Sequence, residues 1–350
     1  MKTKDAILSH CAAYPELAVR DLFKFLYQST FGCGHMVRTQ EEAVARIREE
    51  AEGTPAQEDS TPMMLDGPFC RLPLSILASG LSPETLGALF YLSAKDKGGD
   101  VKDLEARLAA CAALAEEGAI PFTLPEIQRE WTAWRADGYP AVSHSESFRR
   151  SYRPSYRVIA SRYARLLPLL TELDRRLAAA PVIMAIEGGS ASGKTTLASL
   201  LGEVYGATVL HMDDFFLRPE QRTPERLLEV GGNLDRERFS EEVARPLIRG
   251  GGFSFRRFDC QRQALCEPTE VTPARLTVVE GAYSTHPEIP KYYDLTAFIS
   301  ISPELQRARI ALRNTPVIAR RHIEEWIPKE EAYFSAFGVR EACDILLHAE

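Results

Sequence analysis

The residues with the clearest chemistry are Gly188-Gly189-Ser190-Ala191-Ser192-Gly193-Lys194-Thr195-Thr196. Gly188, four residues, then Gly193-Lys194-Thr195 fits the spacing G-x-x-x-x-G-K-[ST]. Glycines at those places let backbone N–H groups turn inward and form a concave anion site. A helix starting there points the positive end of its dipole at the same spot. Lys194 can reach β- and γ-phosphates, and the Thr195 hydroxyl can ligate Mg²⁺. The expected ligand is Mg²⁺-ATP, cradled by Gly188, Gly189, Ser190, Ala191, Ser192, Gly193, Lys194, Thr195 and Thr196. A plain turn of small residues explains neither the lysine nor the apolar runs on either side.

Acids and arginines follow at useful places. Asp213 and Asp214 end an apolar run, 207–210, that continues into His211-Met212. A carboxylate beside a phosphate loop can orient an acceptor hydroxyl and take its proton, so Asp213 is the candidate catalytic acid–base group. Asp214 is its competitor, and strand alternation would point the two to opposite sides. A helix cap or a Mg²⁺-water ligand is the plainer role for the pair. Glu280 ends the apolar run Leu276-Thr277-Val278-Val279 and is expected to bind Mg²⁺ together with Thr195. Arg307, Arg309, Arg313, Arg320 and Arg321 form a basic cluster, with Arg309 and Arg313 on one helix face. Arginines on a lid beginning at Asn314-Thr315-Pro316 can close over a transferring phosphoryl group. A solvated basic face is the competing reading for any one of them.

The elements that must position these groups alternate in type. Strand 182–187 leads into the glycine loop and helix 195–204, capped at Gly206. Strand 207–210 follows, then helix 236–249. A hairpin is expected from 253–258 and 265–271. Strand 276–279, strand 295–301, helix 303–313, helix 322–336 and strand 343–347 complete the series. This order predicts an α/β fold, a P-loop NTPase-type doubly wound and mainly parallel sheet. Gly188, Asp213 and Glu280 all fall at carboxyl ends of strands, where such sheets bind ligands.

A different pattern precedes it. Residues 1–178 read as a separate, mostly α-helical domain, with the boundary at Leu177-Ala178-Ala179-Ala180-Pro181 and the α/β domain over 181–350. Pro15 is placed in the first turn of a helix carrying Leu17, Leu22, Phe25 and Leu26. Gln40 to Glu52 reads as a helix ending at Gly53. Ser82-Pro83-Glu84 starts another. Asp100 to Glu117 is a third, capped by Gly118. Pro154 to Ala180 reads as one long helix or two joined near Pro168, and 54–68 as loop. Two patches have unusual chemistry: Phe31-Gly32-Cys33-Gly34-His35-Met36, and the run from His144 to Arg157 with its serines, arginines and tyrosines. The second suggests a polar pocket for a small anion or a nucleic-acid surface, against capped loops with solvated arginines. Cys33, His35 and His144 match no metal-ligand spacing.

Bulk properties narrow the class. A formal net charge of −7 argues against general nucleic-acid or anionic-membrane binding. Seven scattered cysteines without a C-x-x-C pair fit a reduced, cytoplasmic compartment. No apolar run has the length to span a membrane.

The second half resembles the uridine kinase family of P-loop nucleoside kinases, in the group that includes phosphoribulokinase. The residues that carry the resemblance are Gly188 to Thr196, Asp213-Asp214-Phe215-Phe216, Phe258-Asp259, Val279-Glu280-Gly281, Arg309 through Arg313, and Pro328-Lys329-Glu330. It covers about 181–350 and none of the first half. It implies ATP-dependent transfer to a nucleoside 5′-hydroxyl, with Asp213 as base, Asp235 at the ribose hydroxyls and Phe258 stacked on the base. Two departures stand out. Phe216 replaces a tyrosine, and Cys260-Gln261-Arg262-Gln263 holds no base-reading histidine, leaving Gln263 to read a base edge. The resulting expectation is a cytoplasmic, Mg²⁺- and ATP-dependent kinase with a small-molecule substrate, most simply a nucleoside, compatible with a homo-oligomer. The alternatives are a kinase for another hydroxylated metabolite, or an NTP-driven switch or hydrolase whose helical domain is the effector. No N-K-x-D, H-R-D or D-F-G motif supports a GTPase or a protein kinase.

Overall fold

A computed structural model describes residues 3–52 and 60–349. They divide into two compact units, Met1–Asp174 and Arg175–Glu350, so the division falls inside helix Leu167–Ala179.

The first unit is mainly helical. Helix Val19–Phe31 buries Leu22, Phe23, Phe25 and Leu26. Helix Gln40–Glu52 has the expected limits, whereas the stop at Gly53 and loop positions 54–59 lie outside the described residues. Ser82 caps helix Pro83–Ala94 by accepting from the Thr85 N–H at 3.0 Å. Asp100 caps helix Val101–Glu116 in the same way.

Three expectations for this unit are corrected, the first being the loop over 54–68, in which Met63–Met64 form a short strand. Pro15 lies in a turn between helices Thr3–Ala13 and Val19–Phe31, outside both. Residues 154–180 are not one continuous helical region. Strand β3 (Tyr156–Ala160) occupies their start, pairing antiparallel with β2 (Phe69–Pro73), which pairs with β1 (Met63–Met64). Tyr156, Val158 and Ile159 are stiff or bulky at Cβ and favour a pleated, buried surface over a helix.

The second unit is built on five parallel strands. β4 (Val182–Gly188), β5 (Thr208–His211), β8 (Leu276–Glu280), β9 (Leu295–Ser300) and β10 (Ile345–His348) lie in the order β10-β9-β4-β8-β5. A separate antiparallel hairpin joins β6 (Phe253–Asp259) to β7 (Ala264–Val271). Met184, Ala185, Ile186, Val278, Val279, Ala297 and Phe298 are buried, as strands covered by helices on both faces require. β4 is central, so its carboxyl end opens between β8 and β9.

Two helices of this unit contain π turns, at Ser240–Ala244 and His322–Trp326. Each lies just before a proline, Pro246 or Pro328. A proline has no N–H to continue the α-helical ladder, and a wider turn accommodates the gap.

Candidate active site

The loop after β4 is shaped by its glycines. Gly188 has φ +143°, and a Cβ there would stand 2.5 Å from the Ile299 carbonyl oxygen of β9. No alanine fits that approach. Gly193 has φ +110° and begins helix Lys194–Tyr205; a Cβ on it would meet nothing within 4 Å. The space over the helix N-terminus is therefore open, which is what a bound phosphate needs.

Neighbouring elements grip the loop by hydrogen bonds. The Ser190 N–H and hydroxyl donate to the two carboxylate oxygens of Glu330 at 2.8 and 2.7 Å. Gln306 Nε2 donates to the Ser190 carbonyl at 2.9 Å. Arg309 Nη1 reaches the Ala191 and Ser192 carbonyls at 3.1 and 3.3 Å. Lys194 Nζ lies on the Gly189 carbonyl at 3.0 Å, inside the loop it would serve. Glu330 is buried, and burial raises its carboxyl above the usual range against the opposing pull of Lys194 and the Ser190 bonds.

The carboxylate at the end of β8 meets the first helical threonine. Thr195 Oγ1 donates to Glu280 Oε1 at 2.9 Å, and His211 Nδ1 lies 2.7 Å from the same oxygen. Burial works to raise the Glu280 pKa, but the His211 bond, the Lys194 charge and the Thr195 hydroxyl outweigh it and hold the carboxyl low. His211 is raised in turn, chiefly by its bond to Glu280. One hydroxyl and one ionised carboxylate suit Mg²⁺, which takes few protein ligands and completes its shell with phosphate oxygens and water. No group of three or more His, Cys, Asp or Glu side chains among the described residues is arranged as a metal site.

Asp213 and Asp214 lie in a 3₁₀ turn, Met212–Phe215, directly after β5. Strand alternation, on which their pointing to opposite sides was expected, does not apply in that turn. Both feel His211, but the leading charge is Lys194 for Asp213 and Arg257 for Asp214. The Asp213 side chain is exposed at its tip, and the protein packed around it partly desolvates the carboxyl and raises its pKa.

Glu187 was not singled out from the sequence. It is fully buried in β4, next to Gly188. Its Oε1 accepts from the Thr285 N–H at 2.8 Å, the Thr285 hydroxyl at 3.0 Å and the Tyr333 hydroxyl at 2.9 Å, and Oε2 has no partner. Burial raises its carboxyl pKa. The available signal was an acid inside an otherwise apolar strand immediately before the glycine loop.

The remaining candidates are less uniform. Asp235 is buried and caps its own helix, accepting from the Arg238 N–H at 3.2 Å and from Arg238 Nε at 3.1 Å. Phe258 is buried on β6, with the Arg222 guanidinium 5.6 Å from its ring centre. Gln263 is exposed at the β6–β7 turn, and its amide folds back on the Cys260 carbonyl. Arg313 is exposed at the end of helix Pro303–Arg313. Arg320 and Arg321 lie on helix Pro316–Arg321, which Thr315 caps. Among the groups suspected in the first unit, Cys33 is buried near the Phe90 carbonyl, and His144 bonds Asp21 and Tyr156.

Strand order, glycine loop and the Thr195–Glu280 contact define the second unit as a P-loop NTPase-type α/β fold. No protein-family model matches the chain. Among solved structures it is similar to one described as a possible uridine kinase from Bacillus stearothermophilus, at 20% identity and a TM-score of 0.38, over 50% of this chain and 99% of that chain. It is also similar to the YGR205w protein, at 15% identity and a TM-score of 0.33, over 51% of this chain and 82% of that one. Among the described residues no helix is long and apolar enough to cross a membrane.

Proposed function

We propose that the second unit is a P-loop kinase that transfers a phosphoryl group from ATP to an alcohol of a small molecule. The observation that carries this reading is the position of Asp213. Its exposed carboxylate, in the turn after β5, is felt by Lys194 of the phosphate loop and by Glu280 at the end of the neighbouring β8. A nucleotide switch needs no such group.

In this reading Mg²⁺-ATP supplies the transferable phosphoryl group when bound. The backbone N–H groups of the loop and Lys194 bind phosphate oxygens, for which Lys194 leaves the Gly189 carbonyl. Thr195 and Glu280 hold the metal. Asp213 accepts the acceptor hydroxyl's hydrogen bond, fixes its direction of attack and takes its proton at the carboxylate. A raised pKa makes that carboxylate a better base than an ordinary aspartate. Positioning still matters more than basicity, because the transition state of phosphoryl transfer is loose. Arg309 braces the loop from outside, and exposed Arg313, on the same helix, would approach the transferring group.

For the acceptor we propose a nucleoside, on the motif resemblance of Asp213 to Phe216, Asp235 and Phe258. A second reading, an anionic hydroxylated metabolite, has its own support. Arg257 and Arg238 act on Asp214, Arg222 lies over Phe258, and the Gln263 amide is occupied by its own turn. ADP release from Mg²⁺-ATP across nucleosides, sugars and sugar phosphates tests both. Stimulation by uridine or cytidine supports the nucleoside, and stimulation by a charged acceptor alone supports the second reading. Steady hydrolysis that no acceptor changes would overturn the kinase and favour an NTP-driven switch.

A further inference from the structure

The first unit contains a buried cation with one guanidinium nitrogen that has no partner among the described residues. Arg71 stands at the centre of β2, opposite Val158 of β3, and is 3% exposed. Tyr156 lies two residues from Val158, so the two side chains share a sheet face. The guanidinium carbon lies 4.8 Å from the Tyr156 ring centre. Arg71 Nε donates to Gln28 Oε1 at 2.9 Å, but Nη2 is buried with no hydrogen-bond partner. A buried guanidinium donor without an acceptor is costly.

A second cation is close by. Lys24 precedes Gln28 by one helical turn, so both lie on one face of helix Val19–Phe31. Its ammonium donates to the Val142 carbonyl at 2.9 Å, which uses one of three N–H groups. Burial, then the charges of Arg71 and Arg149, push Lys24 down to about 8. His144, stacked flat on Phe148 at 4.2 Å, is lowered first by burial and then by Arg71 and Lys24.

The one carboxylate in this group is already engaged. Asp21 Oδ1 contacts His144 Nδ1 at 3.0 Å and accepts from the Ser145 N–H at 2.9 Å. Its Oδ2 accepts from the Ser145 hydroxyl at 2.6 Å and the Ala18 N–H at 2.9 Å. Asp21 thus holds the start of helix Val19–Phe31 and of helix Glu146–Tyr152, and does not answer Arg71. Around Lys24 the charges of Arg71, Arg149 and Arg20 stand against one committed anion, Asp21.

We propose that Arg71 and Lys24, bordered by Tyr156 and Gln28, form a binding site for a small oxyanion, the carboxylate or phosphoryl group of a metabolite. The site belongs to the first unit and is independent of the phosphate loop. A ligand oxygen supplies the acceptor that Arg71 Nη2 lacks and takes the two remaining Lys24 donors.

The test uses the full-length protein with Lys194→Met, which removes the lysine of the other anion site. Inorganic phosphate and malonate are titrated separately by calorimetry, with the unfolding temperature followed in parallel. Saturable binding of either anion, weakened at least about tenfold by Lys24→Met and abolished by Arg71→Met, is expected. Phosphate alone identifies a phosphoryl ligand, and malonate alone a carboxylate. Lys24 is half-buried and outside the apolar core, so Lys24→Met decides the matter if Arg71→Met does not fold. Absence of binding by both anions, or binding that Lys24→Met leaves unchanged, overturns the proposal.

Discussion

Ser190 and Glu330 are 140 positions apart and joined twice, through the serine N–H at 2.8 Å and its hydroxyl at 2.7 Å. The glycine loop is therefore held in shape by a carboxylate from helix Ile327–Phe337 near the end of the chain. Glu330→Ala should lose both bonds and leave Ser190 unpaired, costing about 2 kcal/mol of stability. ATP affinity should fall with it. Glu330→Gln keeps an acceptor and should lose less. Denaturant midpoints and nucleotide titrations of the two variants check this.

Glu187 gives a pH-dependent stability of unusual sign. Folding raises its carboxyl pKa, so the folded protein keeps a proton that the unfolded chain releases. Its contribution is full below the ordinary glutamate value of about 4.3 and is lost as pH rises through the folded value. Glu187→Gln should flatten that loss and be the more stable protein at neutral pH. Denaturant midpoints between pH 4 and 8, at roughly unit steps, provide the comparison. A wild type that gains stability relative to the variant as pH rises would contradict the assignment.

Much of this site was legible in the sequence because its parts are local. The spacing of Gly188, Gly193 and Lys194 and the acid ending of 276–280 specify their own surroundings. The first unit was harder. β2 and β3 meet only through the fold, with Phe69 paired to Ala160. Val158, Ile159, Leu166, Leu169 and Leu173 happen to follow helical spacing, which concealed the strand. Arg71 at the centre of β2 hid the other. Glu187 and the grip of Glu330 on Ser190 depend on tertiary contacts, and neither has a local signature.

The raised carboxyl of Asp213 makes a kinetic prediction. If it is the base, the acidic limb of kcat lies above the ordinary aspartate value of about 3.9. Below that limb the carboxyl is protonated and transfer falls. A pH–rate profile with a limb at the ordinary value would assign the proton transfer elsewhere. Asp214→Asn should leave the limb in place.

The two arginines of helix Pro303–Arg313 should behave differently. Arg309 bonds the Ala191 and Ser192 carbonyls, so Arg309→Ala should lower both stability and ATP affinity. Arg313 is exposed, so Arg313→Ala should leave the unfolding midpoint within about 0.5 kcal/mol of wild type. Its loss should appear only in kcat. Equal effects of the two substitutions on stability would reject this division of roles.

The most direct test is acceptor-dependent ADP release by wild type and Asp213→Asn under saturating Mg²⁺-ATP. The variant should bind ATP normally and lose transfer by about 10²- to 10⁴-fold. Transfer at the wild-type rate by Asp213→Asn would contradict the role given to Asp213.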